Sequence, residues 1–154
     1  MVNFEVKKVL DDVMESNEML LKHRGSTSVN VAFYGKSEEI EPLINDYFKE
    51  KDTKFITVDV SKTESKDFYF NGLKEIIKED VPFVLYLKNY GIADPRLRYI
   101  WSSIYKDNSY VDRSGFVYTD KVKIITTIII MDKSKKEYKE LDPSENSCFW
   151  SYQI

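Results

Sequence analysis

The sequence is short of the residues that carry most metal and thiol chemistry. Its 154 residues include one cysteine, Cys148, and one histidine, His23. A single cysteine excludes an intrachain disulfide, so we expect a reducing compartment. One cysteine and one distant histidine also give no zinc cluster and no nucleophile–base pair. We expect Cys148 to be half-buried and inert, and His23 to be solvated at the end of a helix.

A long apolar run and an excess of one charge are also missing. The longest apolar stretch, residues 124–131, contains Thr126 and Thr127 and is too short to cross a bilayer. The first residues mix charged and apolar side chains, so we predict no signal peptide, no membrane partner and a cytoplasmic location. The formal net charge is −3, with both signs interspersed. This balance argues against nucleic acid as a partner.

Apolar spacing predicts that helices and strands alternate along the chain. Predicted helices cover residues 3–22, the segment after Ser37 (with Pro42 in its first turn), 68–79 and 95–106. Predicted strands cover residues 29–34, 54–60, 82–87, 121–131 and 148–154. Turn signals occur over residues 107–120, and residues 133–140 read as a short helix or turn.

This alternation predicts one three-layer α/β domain over residues 1–154, with helices on both faces of the sheet. The sheet is expected to be mostly parallel and to have about five strands. Residues 1–25 are expected to form an N-terminal helix that packs on the core. The hydrophobic fraction of 42% and the aromatic fraction of 14% are sufficient for a substantial core.

The tripeptide Gly35-Lys36-Ser37 follows the first predicted strand and opens the next helix. In a phosphate-binding loop, this tripeptide ends the pattern G-x-x-x-x-G-K-[ST]. Here the first glycine position is Asn30, and the four residues between are apolar and strand-like. The tripeptide is therefore either a nucleotide site that has lost its loop or an ordinary strand-to-helix turn.

The order and spacing of these landmarks resemble the core of an AAA+ ATPase, a P-loop NTPase, over residues 29–154. Residues 82–89 resemble the strand that normally ends in Asp-Glu, and residues 122–127 resemble the strand with a polar sensor residue. Leu141-Asp142-Pro143 is similar to the turn before the last core strand. Phe70-Asn71-Gly72 stands at the place of the aromatic–x–Gly pore loop. The resemblance implies a P-loop NTPase-like fold without the family's small helical lid domain.

The resemblance also implies a nucleotide site whose catalytic parts are changed. Mg²⁺ would be held by Ser37 and by an acidic residue at the position of Lys88, and the base position holds Asn89. The arginine that the family carries close to residues 146–148 has no basic counterpart. These degenerate Walker motifs imply that the chain has no catalytic residues.

Carboxylates also crowd the start of the helix that follows Ser37. Glu38, Glu39 and Glu41 lie in or beside its first turn, where they would repel a triphosphate. We therefore expect no ATP hydrolysis, no metal and no cofactor. The alternative is ATP with Mg²⁺, bound at Gly35, Lys36 and Ser37.

Two aromatic and basic segments are candidate partner-binding surfaces, because Arg, Tyr and Trp are favoured at interfaces. The residues are Phe68, Tyr69 and Phe70 at the start of the third predicted helix, and Arg96, Arg98 and Tyr99 on the fourth. Phe68, Tyr69 and Phe70 cannot all point inward from one helix start, although a packing cluster is the alternative. On the fourth helix, the apolar residues are expected to face the sheet, which leaves Arg96, Arg98 and Tyr99 outside.

These features together predict a non-catalytic AAA+-like protein, a pseudo-ATPase, that acts through protein–protein contacts. The resemblance suggests an ATPase or a replication component as its partner, and by analogy a phage or mobile-element accessory role. One alternative is a nucleotide-binding enzyme or switch with a rearranged phosphate loop. Another is a DNA-binding replication accessory with a local basic patch (Lys121, Lys123, Lys133, Lys135 and Lys136).

A second fold is suggested by Val81-Pro82 ahead of a strand and by residues 88–91. This arrangement is similar to the cis-proline strand of the thioredoxin fold. However, the sequence has no Cys-x-x-Cys motif, and the long region after Gly91 does not fit that fold.

Overall fold

The computed structural model describes residues 2–22, 29–62, 81–107, 109–111, 117–119 and 124–154. The helices in these residues are α1 (Val2–Lys22), α2 (Ser37–Lys49), α3 (Pro95–Asp107) and α4 (Pro143–Asn146). The strands are β1 (Asn30–Tyr34), β2 (Lys54–Asp59), β3 (Phe83–Lys88), β4 (Ser109–Val111), β5 (Val117–Thr119), β6 (Ile124–Met131) and β7 (Phe149–Gln153).

Five of the strands form one sheet in which all neighbours are parallel. Their order is β2-β3-β6-β1-β7, while β4 and β5 form a separate antiparallel pair. β6 therefore lies between β1 and β3. Since parallel strands end at the same edge of a sheet, the carboxyl ends of these three strands are neighbours, where α/β proteins usually bind ligands. The predicted parallel α/β sheet is confirmed.

Both faces of the sheet are covered by helices, as predicted. On one face, α1 and α2 contribute a core cluster with Val31 and Phe33 of β1. On the other face, α3 packs its buried Trp101 into a cluster that contains Ala32 and Tyr34. Alternate residues of β1 thus enter opposite cores, which is the period of a strand that is buried on both sides.

The predicted bounds of α1, α3 and the five strands of the main sheet hold to within about three residues. The predicted position of Pro42 was wrong: α2 begins at Ser37, so Pro42 lies inside the helix beyond its first turn. The predicted helix 68–79 lies outside the described residues. Turn signals over residues 107–120 coincide with β4 and β5, and the Leu-Asp-Pro turn precedes α4, but neither the strand pair nor α4 was predicted.

The thioredoxin alternative is not supported by the backbone. The peptide bond between Val81 and Pro82 is trans. After β3, Asn89 is in the left-handed region, with φ 63°. Asparagine tolerates this conformation better than most residues do. None of the helices in the described part of the chain is long and apolar enough to cross a membrane.

Candidate functional site

The connection between β1 and α2 is a tight two-residue turn. β1 ends at Tyr34 and α2 begins at Ser37, and the Gly35 N–H donates to the Met131 carbonyl of β6 at 3.2 Å. A Cβ atom at Gly35 would lie 2.8 Å from the terminal methyl carbon of Ile40, so a larger residue there would have to displace that methyl group. Residues 31–34, which would form the loop of a phosphate site, are buried in β1. Gly35 and Lys36 therefore form an ordinary strand-to-helix turn and not a phosphate-binding loop.

The N-terminus of α2 is occupied by the carboxylate of Asp132, the residue after β6. Its Oδ2 accepts hydrogen bonds from the Ser37 N–H at 2.9 Å and from the Ser37 hydroxyl at 3.1 Å. Its Oδ1 accepts from the N–H and hydroxyl of Ser134 at 3.0 and 2.6 Å. Lys36, the N-cap residue, has a side chain that can only donate, so Asp132 supplies the cap from a neighbouring strand.

The charge of Asp132 is stabilised at this position. Burial would raise its pKa, since the residue is 5% exposed, but the hydrogen bonds from Ser134 and Ser37 outweigh burial and lower the pKa to about 2. The positive end of the α2 dipole favours the same charged form. An anion therefore already lies where a phosphate would meet the helix.

A shallow open cleft of about 480 Å³ lies beside this carboxylate. Lys36, Lys133 and Glu39 contribute to its lining. The Nζ of Lys133 lies 5.8 Å from the centre of the Tyr34 ring, within reach of a cation–π contact. The predicted nucleotide residues Gly35 and Lys36 thus line a mixed-charge cleft, and Ser37 binds Asp132.

The Mg²⁺ position and the base position at the carboxyl end of β3 have other contacts. The Nζ of Lys88 lies 3.4 Å from Glu41 Oε1 in a partly exposed ion pair. The Asn89 side-chain amide donates to Asp59 at 3.0 Å. In the described residues, no group of three or more His, Cys, Asp or Glu side chains could hold a metal ion.

The polar residues of the segment that resembles the sensor strand lie at the amino end of β6. β6 continues to Met131, so Thr126 and Thr127 lie near its start, far from the carboxyl end. Thr126 donates its hydroxyl hydrogen to the Val29 carbonyl at 2.6 Å. The polar residue at the end of β6 is Asp132, which the sequence reading missed. The available signal was that Asp132 is the first polar residue after the apolar run.

Asn30, at the first glycine position of the motif, has a structural contact. Its amide donates to the Tyr105 carbonyl of α3 at 3.0 Å, and its oxygen accepts from the Thr127 N–H at 3.0 Å. The side chain is 2% exposed. Asn30 thus joins β1, β6 and α3 at the amino ends of the strands.

A buried ion pair between Arg98 and Glu145 joins α3 to α4. The guanidinium contacts both carboxylate oxygens, at 3.0 Å from Nε and 2.7 Å from Nη2. It also donates to the carbonyls of Lys139 and Glu140 at 2.8 and 3.0 Å. Burial alone would lower the pKa of Arg98, but the bonds and charge of Glu145 outweigh burial and raise it.

Two tyrosines complete this cluster. The Tyr90 hydroxyl donates to Glu145 Oε2 at 2.5 Å and lies 2.9 Å from the Tyr105 hydroxyl. Burial raises the pKa of both phenols well above the usual range, and the nearby charge of Glu145 raises it further. Both hydroxyls therefore stay neutral donors, and Tyr90 satisfies one more lone pair of the buried carboxylate.

The expectation that Arg98 faces outward was wrong, since the residue is 4% exposed. Arg98, Trp101 and Tyr105 form one buried stripe at helical spacing, and the guanidinium reaches Glu145 from that stripe. Arg96 and Tyr99 do lie outside, and Tyr99 is 77% exposed. Phe68, Tyr69 and Phe70 lie outside the described residues. Partner binding by any of these residues stays a prediction.

In comparisons with known proteins, no protein-family model and no curated protein matches this chain.

We expect Asp132→Asn to lower the free energy of unfolding by about 2 kcal/mol at pH 7, the value of a pKa change from 3.8 to about 2. A lowered native pKa stabilises the fold above the unfolded pKa, and this stability is lost as pH falls towards 2. The difference between wild type and variant should therefore fall to roughly half by pH 3. Urea unfolding of both proteins at pH 7, 5 and 3 measures this difference in the free energy of unfolding.

The matched control for Asp132 is Asp52→Asn, which removes the same charge at an exposed position. This control should change stability by less than about 0.5 kcal/mol at each pH. A loss in Asp132→Asn that stays constant with pH would contradict the assigned charge of Asp132.

We expect Glu145→Gln to lower the free energy of unfolding by about 3 kcal/mol, because Arg98 keeps a buried charge without its counterion. The exposed Glu137→Gln is the matched control and should be neutral within about 0.5 kcal/mol. Urea midpoints at pH 7 compare the two variants. Equal midpoints for Glu145→Gln and wild type would show that the cluster contributes nothing to stability.

Proposed function

We propose that this chain is a non-catalytic AAA+-like protein, a pseudo-ATPase, that acts through protein–protein contacts. The observation that supports this most is the Asp132 carboxylate on the N-terminus of α2. That position is the one at which a nucleotide phosphate would gain most from the backbone N–H groups and the helix dipole. In this chain the position has its own permanent anion.

The strand arrangement supports the AAA+-like part of the proposal. β6 lies between β1 and β3, so Gly35-Lys36-Ser37, the end of β6 and Lys88-Asn89 are neighbours along one edge of the sheet. In an AAA+ ATPase, the three corresponding segments would surround one nucleotide site. Their order in space therefore agrees with the resemblance, while their chemistry differs from that of an ATPase.

Electrostatics argues against phosphate binding at this edge. Two unit negative charges about 4 Å apart repel by about 4 kcal/mol at an effective dielectric constant of about 20. A helix N-terminus attracts an anion by at most about 2 kcal/mol. A phosphate would therefore have to displace Asp132, which would break its hydrogen bonds to Ser37 and Ser134.

The Mg²⁺ and base positions support the same conclusion. Lys88 is a cation paired with Glu41, so it cannot contribute a ligand oxygen to Mg²⁺. Asn89 donates to Asp59, and an amide cannot accept a proton from an attacking water. Hydrolysis would need both roles to be filled by other groups.

The candidate contact surface is the outer side of α3. Tyr99 is 77% exposed, and Arg96 is exposed one turn away. Tyr99 also lines a cleft of about 370 Å³ together with Ser102 and Ser144. An exposed tyrosine on a helix that is held rigidly by Arg98 offers a large, ordered contact area. We propose a protein partner at this surface, with an ATPase or replication component as the class that the resemblance suggests.

In the patch of the DNA-binding alternative, two of the three described lysines contact other groups of this chain. Lys135 lies 3.2 Å from Glu38 in an ion pair, and Lys133 lies over the Tyr34 ring. The net charge of −3 also opposes binding to a polyanion.

We expect millimolar ATP with Mg²⁺ to leave the melting temperature of the full chain unchanged. A nucleotide at about 100 times its dissociation constant would instead add about 2.7 kcal/mol, which moves the melting temperature by several degrees. Differential scanning fluorimetry on wild type, Lys36→Ala and Lys133→Ala makes the comparison. The last variant is the control, because Lys133 lines the same cleft.

A shift in wild type and Lys133→Ala that is lost in Lys36→Ala would overturn the non-catalytic proposal. That result would favour the nucleotide-binding enzyme or switch.

We expect Tyr99→Ala to reduce capture of the partner protein at least about tenfold, as truncation of an interface anchor does. Pull-downs from the source cells, followed by quantitative mass spectrometry, compare Tyr99→Ala with Trp150→Ala. Trp150 is the control because it is also an exposed aromatic, on a different element. Unchanged capture of every specific protein by Tyr99→Ala would contradict a partner surface on α3.

A further inference from the structure

The outer edge of the sheet at β7 is open in the described part of the chain. β7 pairs with β1 and is last in the strand order. The Ile154 N–H donates to the Tyr34 carbonyl at 2.9 Å. Because backbone groups alternate along a strand, those of Phe149, Ser151 and Gln153 point away from β1. A row of unpaired N–H and C=O groups is a template for another strand.

β7 also lacks the features that usually protect such an edge. Residues 148–154 contain no charged residue, proline or glycine, and the register with β1 shows no bulge. Trp150 is 44% exposed, and Ser151 and Gln153 are exposed beside it. Edge strands normally carry lysine, proline or a bulge that prevents pairing with another chain. The strand is therefore well suited to pairing.

We propose that β7 is a self-association edge, at which two copies of this chain pair and join their sheets. A twofold axis brings the same surface of both copies together. When that surface is one strand edge, the two β7 strands run antiparallel. With the axis at Ser151, the outward-facing residues form hydrogen-bonded pairs: Ser151 with Ser151 of the second copy, and Phe149 with its Gln153.

The side chains of β7 favour a second copy as the occupant. In a twofold pairing the central residue lies opposite itself, where a charge would repel its own copy. Ser151 is uncharged, and so are all its neighbours in the strand. The same register puts Trp150 opposite Tyr152 of the second copy, in the non-hydrogen-bonded positions where side chains come closest.

The aromatic pair forms on one face of the joined sheet. Tyr152 already lies near Phe33 on this face, with ring centres 6.4 Å apart. Cross-strand aromatic pairs stabilise neighbouring strands, and Trp150 would lose most of its present exposure. Because β7 is short, we expect a weak dimer whose fraction grows over about 10 to 500 µM protein. This inference does not depend on the function proposed above.

Sedimentation equilibrium of the full chain over this range tests the proposal. Ser151→Lys places two like charges at the axis and should raise the dissociation constant at least about tenfold. Ser144→Lys is the matched control, since it makes the same change at an exposed serine on α4, and should leave the dimer unchanged. Ser151→Pro should also weaken the dimer, because the N–H it removes points away from β1. Circular dichroism verifies that each variant is folded.

Disulfide trapping gives a second test that does not depend on those substitutions. In a Cys148→Ser background, Ser151→Cys would place two cysteines about 5.5 Å apart at Cα, within the disulfide range. Mild oxidation should give a covalent dimer, and Ser144→Cys should give little. A chain that stays monomeric at about 500 µM, a dimer unaffected by Ser151→Lys, or equal trapping in both cysteine variants would overturn the proposal.

Discussion

The hydrogen bonds between Asp132 and Ser37 are the interaction on which the site edge of this protein depends. They connect the end of β6 to the start of α2 across 95 positions of sequence. They satisfy the Ser37 N–H at the start of α2, which the N-cap lysine side chain cannot satisfy because it carries no acceptor. Since Asp132 also binds Ser134, one carboxylate orders the helix start and the turn after β6 together.

The Arg98–Glu145 cluster has the corresponding role on the other face of the sheet. Its charges are buried but almost fully hydrogen-bonded, because the guanidinium meets two carbonyls besides the carboxylate. Glu145 also accepts from the Asp142 N–H in the capping box of α4. Glu145 therefore holds the Leu141-Asp142-Pro143 turn and also neutralises the charge of Arg98 on α3. Removing one partner of such a buried pair is costly, because the other charge is left without its counterion.

Sequence reasoning predicted the local structure well and the long-range contacts poorly. The strands β1, β3 and β6 were recognisable because buried parallel strands are continuous apolar runs. Arg98 was misplaced because its burial depends on Glu145, which lies 47 residues away. Asp132 was missed for the same reason. The strand order could not be predicted either, because helical periodicity and strand propensity do not encode which strands are neighbours.

Because β1 pairs with a strand on each side, this chain has most of the phosphate-binding motif in its sequence but no phosphate-binding loop in its structure. Val31 lies opposite Ile128 on one side and Trp150 on the other, and this double pairing continues to Tyr34. Replacing Asn30 by glycine would complete the letters of a phosphate-binding motif. The four residues that follow would still be paired on both sides within β1, so the chain would carry the motif of an ATPase without its loop. A phosphate-binding loop would require additional residues between β1 and α2, because only Gly35 and Lys36 lie between these two elements.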